Sequence, residues 1–374
     1  INKFSLLAIP LFIFSADIIA RGEIGTRLLR LVETSVGHLT GGVAITTAIT
    51  CALFGAVSGI GTAAIVSIGP IVYPALLKQG YSRGFAAGLI LSASTLAMLI
   101  PPGVAMILYS LVTTSSVGGV FLAGLSAGAI FIVLLAVYCY LYARTNAIGR
   151  QPRATWKERF VSLKEAGWSL GLPAIIFGGI YAGTFTPTEA ASGACVYALF
   201  VEMVVYRKMN IRQLLDVTAK SAVVIASLLI LLTAGSAMAY YMTLQGVPQI
   251  VANLMEGSTA TGVLFSINVV FLLAGMFVDP NSAIIVLTPV FQPITQALAI
   301  DPLHLGAVIV FNVAIGMMTP PFGLNLFVGV VTFKVPYLEI ARSMLPFIGI
   351  AIVALMLITY VPILVTWLPQ AVGL

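Results

Sequence analysis

Long apolar runs follow one another along this chain, separated by short polar interruptions. Phe4 to Ala20, Gly41 to Val57, Ala63 to Leu77 and the stretch 120–142 are apolar. Each is close to the roughly 20 residues a helix needs to cross a bilayer. After a polar stretch at 144–167 the pattern resumes, and spans are predicted near 168–186, 189–206, 221–239 and 344–368. No alternation of the barrel type is present. The pattern therefore predicts an all-α polytopic membrane protein. One segment differs: ARGEIGTRLLRLVE, residues 20–33, carries its charges on one side of a helical period. It reads as an amphipathic helix lying along the membrane surface.

The pattern also repeats. Pro70, Pro74, Pro101 and Pro102 return as Pro289, Pro293, Pro320 and Pro321, each 219 positions later. Ala64, Ile65, Val112 and Thr113 map in the same way onto Ala283, Ile284, Val331 and Thr332. The arm at 20–33 has its counterpart in 240–257, shifted by two further residues. In each half, two apolar arms flank a polar tip: SGIGT (58–62) in the first and DPNS (279–282), between 262–278 and 283–298, in the second. Two arms around such a tip predict a re-entrant helical hairpin, which survives at membrane depth only if buried in protein or lining a cavity. Each hairpin is followed by paired prolines, in LIPPGVAMIL (99–108) and MTPPFGLNLF (318–327). Proline removes a helix hydrogen bond and clashes with the preceding turn, so both helices should unwind there; a simple kink is the alternative.

Composition agrees with the pattern. The chain is 60% hydrophobic and 8% charged, against roughly 25% charged in soluble proteins. The net charge of +6 sets orientation in a membrane protein and does not call for nucleic acid. With the basic linker RTNAIGRQPRATWKERFVSLKEAG (144–167) placed in the cytoplasm, the remaining basic residues fall on the same side, Lys3 excepted. The two halves, 1–143 and 168–374, then have opposite orientations, as inverted-topology repeats require. Subtracting the offset from the start of the second half places the start of the first about 50 residues before Ile1, so an earlier span is expected there.

Enzymatic chemistry has no visible carrier. No HExxH, GxSxG or Walker loop occurs, and Cys51, Cys139 and Cys195 lie singly in apolar runs without metal or redox spacing. His38 and His304 are 266 positions apart. Asp17 and Glu202 lie near span ends and are expected to be solvated, and Glu189 to be a helix-start carboxylate on an outer turn. A broken, repeated architecture of this kind points to a secondary transporter, not an enzyme.

Several motifs carry a resemblance: LLAIPLFIFSADI (6–18), the SGIGTAA tip, IPPG, GTFTPTEAA (183–191), GMFVDP (275–280) and MTPPFGLNLF. In this order they resemble the large membrane subunit of TRAP transporters, the DctM-like family, over essentially the whole chain. The resemblance implies sodium-driven uptake of organic acid anions (dicarboxylate, keto acid or sialic acid class) across a bacterial inner membrane. It implies a small DctQ-like membrane subunit and a periplasmic DctP-like binding protein as partners, no cofactor beyond Na+ as coupling ion, and an elevator mechanism. In that picture 41–116 and 262–332 form the transport core and the remainder is mostly scaffold. The runner-up is a stand-alone sodium–dicarboxylate symporter with related inverted repeats. An intramembrane protease would need a second aspartate beside Asp279, and a channel is at odds with alternating-access repeats.

Unwound helices expose carbonyl oxygens, which suit a hard cation, while half-helix N-termini favour anions. One sodium per half is therefore expected: Ser58, Gly59, Pro101 and Gly103 in the first, and Asp279, Thr319 and Gly323 in the second. Thr62, Asn281, Ser282 and Asn325 are the candidate substrate contacts. For Ser58, Thr62 and Ser282, bonding to the helix backbone is the competing role. Asp279 is a sodium ligand, a neighbour of substrate or an N-cap. Asn325 makes either a substrate or a packing contact.

Overall fold

A computed structural model describes residues 4–373; Lys3 lies outside them. Among the described residues there is no strand. After a turn at Phe4–Leu7 come α1 (Ala8–Arg21), α2 (Ile24–Val36), α3 (Gly42–Ser58), α4 (Gly61–Lys78), α5 (Arg83–Ser94), α6 (Leu96–Leu99), α7 (Val104–Thr113) and α8 (Val117–Thr145). The second half has α9 (Trp156–Tyr181), α10 (Pro187–Phe200), a π-helical turn at Val201–Val205, α11 (Ile211–Leu244) and α12 (Val247–Leu254). It ends with α13 (Ala260–Phe277), α14 (Pro280–Ala297), α15 (Pro302–Met317), α16 (Leu324–Phe333), α17 (Tyr337–Tyr360) and α18 (Ile363–Ala371). Seven helical stretches among the described residues are long and apolar enough to cross a membrane.

Helix starts follow local chemistry. Thr155 and Glu158 form a reciprocal capping box at α9, as do Thr186 and Glu189 at α10, with Pro187 in the first turn. Asp279 and Asp301 cap α14 and α15 ahead of Pro280 and Pro302. These caps make the polar segments shorter than the sequence suggests. The capping box starts α9 at Trp156, so most of the linker 144–167 is helical and only 146–155 is irregular. The hairpin tips shrink to Gly59–Ile60 and Val278–Asp279. The segment 240–257 is not a single arm: its first residues complete α11, and α12 begins only at Val247. The expected closing span 344–368 is divided at Val361–Pro362 between α17 and α18.

Helix bounds recur at the offset of the prolines. The helices starting at Gly61 and Arg83 have partners starting at Pro280 and Pro302, 219 positions on, and those ending at Ser58 and Lys78 have partners ending at Phe277 and Ala297. In a membrane, association rests on close packing because lipid tails are as apolar as leucine. The first arm of hairpin two meets the helix before its break at Gly275 and Gly316, where a Cβ on either would reach the other's backbone. The second arms cross between halves: α4 packs on α16 and α14 on α7. Tyr73 of α4 stacks on Phe333 of α16, with ring centroids 4.7 Å apart. Helices α8 and α17 pack against α3, α5 and α15 and join the same packed body. Opposite it lie α1, α10 and α11, and the face of α11 turned away from the core is exposed.

The arm α2 is fixed by a joint the sequence does not announce. Glu202, expected to be solvated, is 0% exposed. Its carboxylate accepts from the backbone N–H of Glu23 (3.0 and 3.1 Å) and of Ile24 (3.2 Å), closing the N-terminus of α2. The carboxylate lies so close to Gly22 that any side chain there would overlap it. Asp17 is half-buried and accepts a 2.5 Å hydrogen bond from the Ser221 hydroxyl, so it ties α1 to α11.

Candidate functional site

Both hairpin tips and both helix breaks meet at one cavity of about 330 Å³. Tip one contributes Gly59 to Thr62, and tip two contributes Asp279 to Asn281. Met98 and Val104 flank the first break, Met317 and Leu324 the second. The opposite wall is Ile13 of α1 and a face of α11 that includes Ser227, Leu228 and Leu231.

Most of the lining is related by the repeat. Ile60, Gly61, Thr62 and Met98 stand 219 positions before Asp279, Pro280, Asn281 and Met317, and all eight line the cavity. The single charged lining residue, Asp279, thus takes the place of Ile60. Helices α4, α7, α14 and α16 all start at the cavity wall. Each helix start carries roughly half a positive charge from unpaired N–H groups. The ends of α3, α6 and α15 supply unpaired carbonyls beside them. The wall therefore offers donors for an anion and oxygens for a cation, with no arginine or lysine among its described residues.

Backbone geometry holds tip one against its break. Gly59 has φ 63°, the left-handed region glycine adopts without penalty. A Cβ at Gly59 would run into the Pro102 carbonyl. Behind this contact the chain is unwound from Ile100 to Gly103, and in half two from Met318 to Gly323. Pro101–Pro102 and Pro320–Pro321 are both joined by cis peptide bonds.

Of the eleven residues singled out from sequence, Gly59, Thr62, Asp279 and Asn281 line the cavity. Asp279 is half-buried, and its Oδ2 accepts from the N–H groups of Asn281 (3.0 Å) and Ser282 (3.2 Å). It therefore caps α14 and faces the cavity together. Ser282 serves that cap through its backbone. Ser58 is 1% exposed, and its hydroxyl accepts weakly from Ile60 N–H at 3.5 Å. Pro101, Gly103, Thr319 and Gly323 form the breaks behind the lining, where Thr319 returns its hydroxyl to the Ile315 carbonyl at 2.7 Å. Asn325 is not in the wall. It is buried against α5, donating to Ser94 Oγ at 3.1 Å, which is the packing alternative.

Sequence reasoning missed the wall from α1 and α11, because a lone Ser227 in an apolar helix carries no signal. It also missed Met98 and Met317, although their shared offset beside the paired prolines was legible.

Two broken halves around one central cavity define a multi-pass membrane transporter subunit. Comparison with known proteins then gives the family. The profile of the tripartite ATP-independent periplasmic transporter DctM component matches residues 1–364, and the chain belongs to this family. It is 41% identical to the ectoine TRAP transporter large permease protein TeaC of Halomonas elongata, over 97% of this chain and 85% of the relative. It is 38% identical to the C4-dicarboxylate large permease DctM of Pseudomonas aeruginosa (100% and 88%). Identity to the sialic acid large permease SiaM of Vibrio cholerae is 30% (99% and 87%). The fold is similar to that of the YdaH transporter of Alcanivorax borkumensis, with a TM-score of 0.68 at 13% identity, over 97% of this chain and 86% of that one.

Proposed function

We propose that this large permease moves small organic acids into the cell, driven by sodium, with the two tips carrying the substrate past α1 and α11. The observation that carries the reading is the convergence of two tips, two breaks and four helix starts on one cavity. Helix starts recognise carboxylates without a dedicated arginine. Carbonyl oxygens freed at the breaks, with Asp279, suit sodium. The relatives named for ectoine, C4-dicarboxylates and sialic acid all handle carboxylate-bearing solutes. A wall built largely from helix ends accommodates that range, leaving selection to a separate binding protein.

The basic segments at 144–167 and 207–220 support a cytoplasmic side for those ends in an inner membrane. The small subunit belongs on the exposed side of the arm and α11; a relative of this chain is itself named as a DctMQ permease for isethionate. The wall of α1 and α11 would stay fixed while the hairpins shift, an elevator motion. The test is uptake of labelled substrate into liposomes holding the chain and its small subunit, with and without binding protein and an inward sodium gradient. Uptake requiring both is expected. Full uptake by the chain alone would favour the stand-alone symporter, and full uptake in sodium-free buffer would end the coupling argument.

A further inference from the structure

The crossings between halves are equivalent by the repeat but opposite in chemistry. Where α4 crosses α16, Gly69 and Tyr73 meet Phe333, with Leu76 and Leu77 following at helical spacing, and the face is apolar and aromatic. The α14 residues 219 positions on are Thr288, Gln292, Thr295 and Gln296. They fall at helical spacing on one face and, with Tyr109 and Thr113 of α7, line a separate pocket of about 40 Å³. A site needs about 10–15 Å³ to hold one water-sized occupant.

Thr288 points to an occupant. It is 2% exposed, and its hydroxyl has no hydrogen-bond partner among the described residues. Thr47, Thr113 and Thr319 return their hydroxyl proton to a helix carbonyl. Thr46 and Thr50, like Thr288, have no partner among the described residues, but Thr288 also lines a cavity. The Thr113, Thr295 and Tyr109 hydroxyls are spent as donors on the carbonyls of Tyr109, Gln292 and Pro302, which leaves lone pairs on Thr295 and Tyr109 for an electron-poor guest, while Thr113 also accepts from Ser115. Every side chain named here is neutral and offers oxygen. With no cationic side chain among the described lining residues, these oxygens can ligate a hard monovalent cation with few waters.

We propose that the crossing of α7 and α14 is a sodium site separate from the tip cavity, at the end of α14 away from its tip. It rests on the reading of the chain as a sodium-coupled transporter. Sodium here would bridge the two halves during the transport step. A cation beyond one per tip would give the cargo, a dianion with its sodium ions, a net positive charge.

The experiment is equilibrium binding of radiolabelled sodium to the purified chain in nanodiscs, with its small subunit where the two co-purify. Thr288→Val and Gln292→Leu should each lose a single ion per chain and leave the half-saturation of the remaining ions unchanged. Thr288→Ser should restore the count. Should Thr288→Val fail to fold, Gln292→Leu decides, because Gln292 is half-buried and tolerates change. An unchanged count in the variants overturns the proposal, making the guest water, and leaves coupling at the tips standing. Absence of sodium binding by the wild type ends both.

Discussion

Removing the carboxylate of Glu202 should release the arm α2 without unfolding the protein. In Glu202→Ala the N–H groups of Glu23 and Ile24 lose their acceptor at the start of α2. Loss of an N-cap costs about 1 kcal/mol, and a buried donor left unmatched costs about 1–3 kcal/mol. Two donors are left unmatched, about 2–6 kcal/mol together, and water reaching the opened joint recovers part of this, so about 2–4 kcal/mol is expected. Besides the apolar packing of Ile24, Leu28 and Val32 on α3 and α9, the other polar ties near the arm are weaker. The pairs Arg21–Asp216 (2.6 Å) and Arg30–Glu165 (2.7 Å) are over a third exposed on each side, and such pairs are worth about 0–1 kcal/mol. At 1.4 kcal/mol per tenfold, the undocked population should rise roughly 30- to 700-fold. Leu28 of α2 is 0% exposed. A cysteine there, in a chain lacking Cys51, Cys139 and Cys195, should react with maleimide faster by that factor. Gly22→Ala should act alike, because its methyl group displaces the same carboxylate, and the double variant should be no worse than the more severe single. An unchanged rate in Glu202→Ala would refute the joint.

Further outcomes follow from the same geometry. Asp279→Asn should raise the sodium concentration for half-maximal uptake more than it lowers yield; unchanged half-saturation would leave Asp279 a cap only. Gly59→Ala forces a side chain into left-handed backbone, about 1–2 kcal/mol, and against the Pro102 carbonyl, so uptake should fall while the chain still inserts. Asn268→Ala removes a buried contact with Asn312 (2.7 Å) and Thr359 (3.0 Å), worth about 0.6 and at most about 1.7 kcal/mol, read as a lower melting temperature in detergent. Single cysteines at Arg153 and Arg212 should label only from the cytoplasm, and one at Gly257 only from outside.

Hairpins and breaks were legible because proline and glycine act locally: each removes or relaxes a hydrogen bond whatever surrounds it. The capping role of Asp279 was legible for the same reason, since Asp-Pro closes a helix start with its own neighbours. Asn325 was open between two roles because a polar residue in an apolar helix names no partner, and Ser94 lies 231 positions away. Glu202 misled outright. A carboxylate near a span end resembles a solvated one, and only the fold brings the start of α2 to it, 178 positions earlier in the chain. Local chemistry reads from the sequence; pairings between halves do not.

The repeat explains why the two sides of the carrier are not interchangeable. Two equal halves would form equal tips and equal crossings, yet each position of chemical weight has diverged in one copy: Ile60 against Asp279, Gly69 against Thr288, Tyr73 against Gln292. Backbone groups at the breaks belong to both halves and remain equivalent, so they set a common shape. The Asp279 carboxylate, Thr288 and Gln292 belong to the second half alone, so the two copies differ in their side-chain chemistry. One charge moved through 100 mV contributes roughly 2.3 kcal/mol. With a single sodium per tip a dianion would be carried as a neutral complex, and the membrane potential would contribute nothing to its uptake. An added cation at α7 and α14 would couple that potential to the step. Uptake of a dianion should therefore respond to an imposed potential in the wild type and lose that response in Thr288→Val.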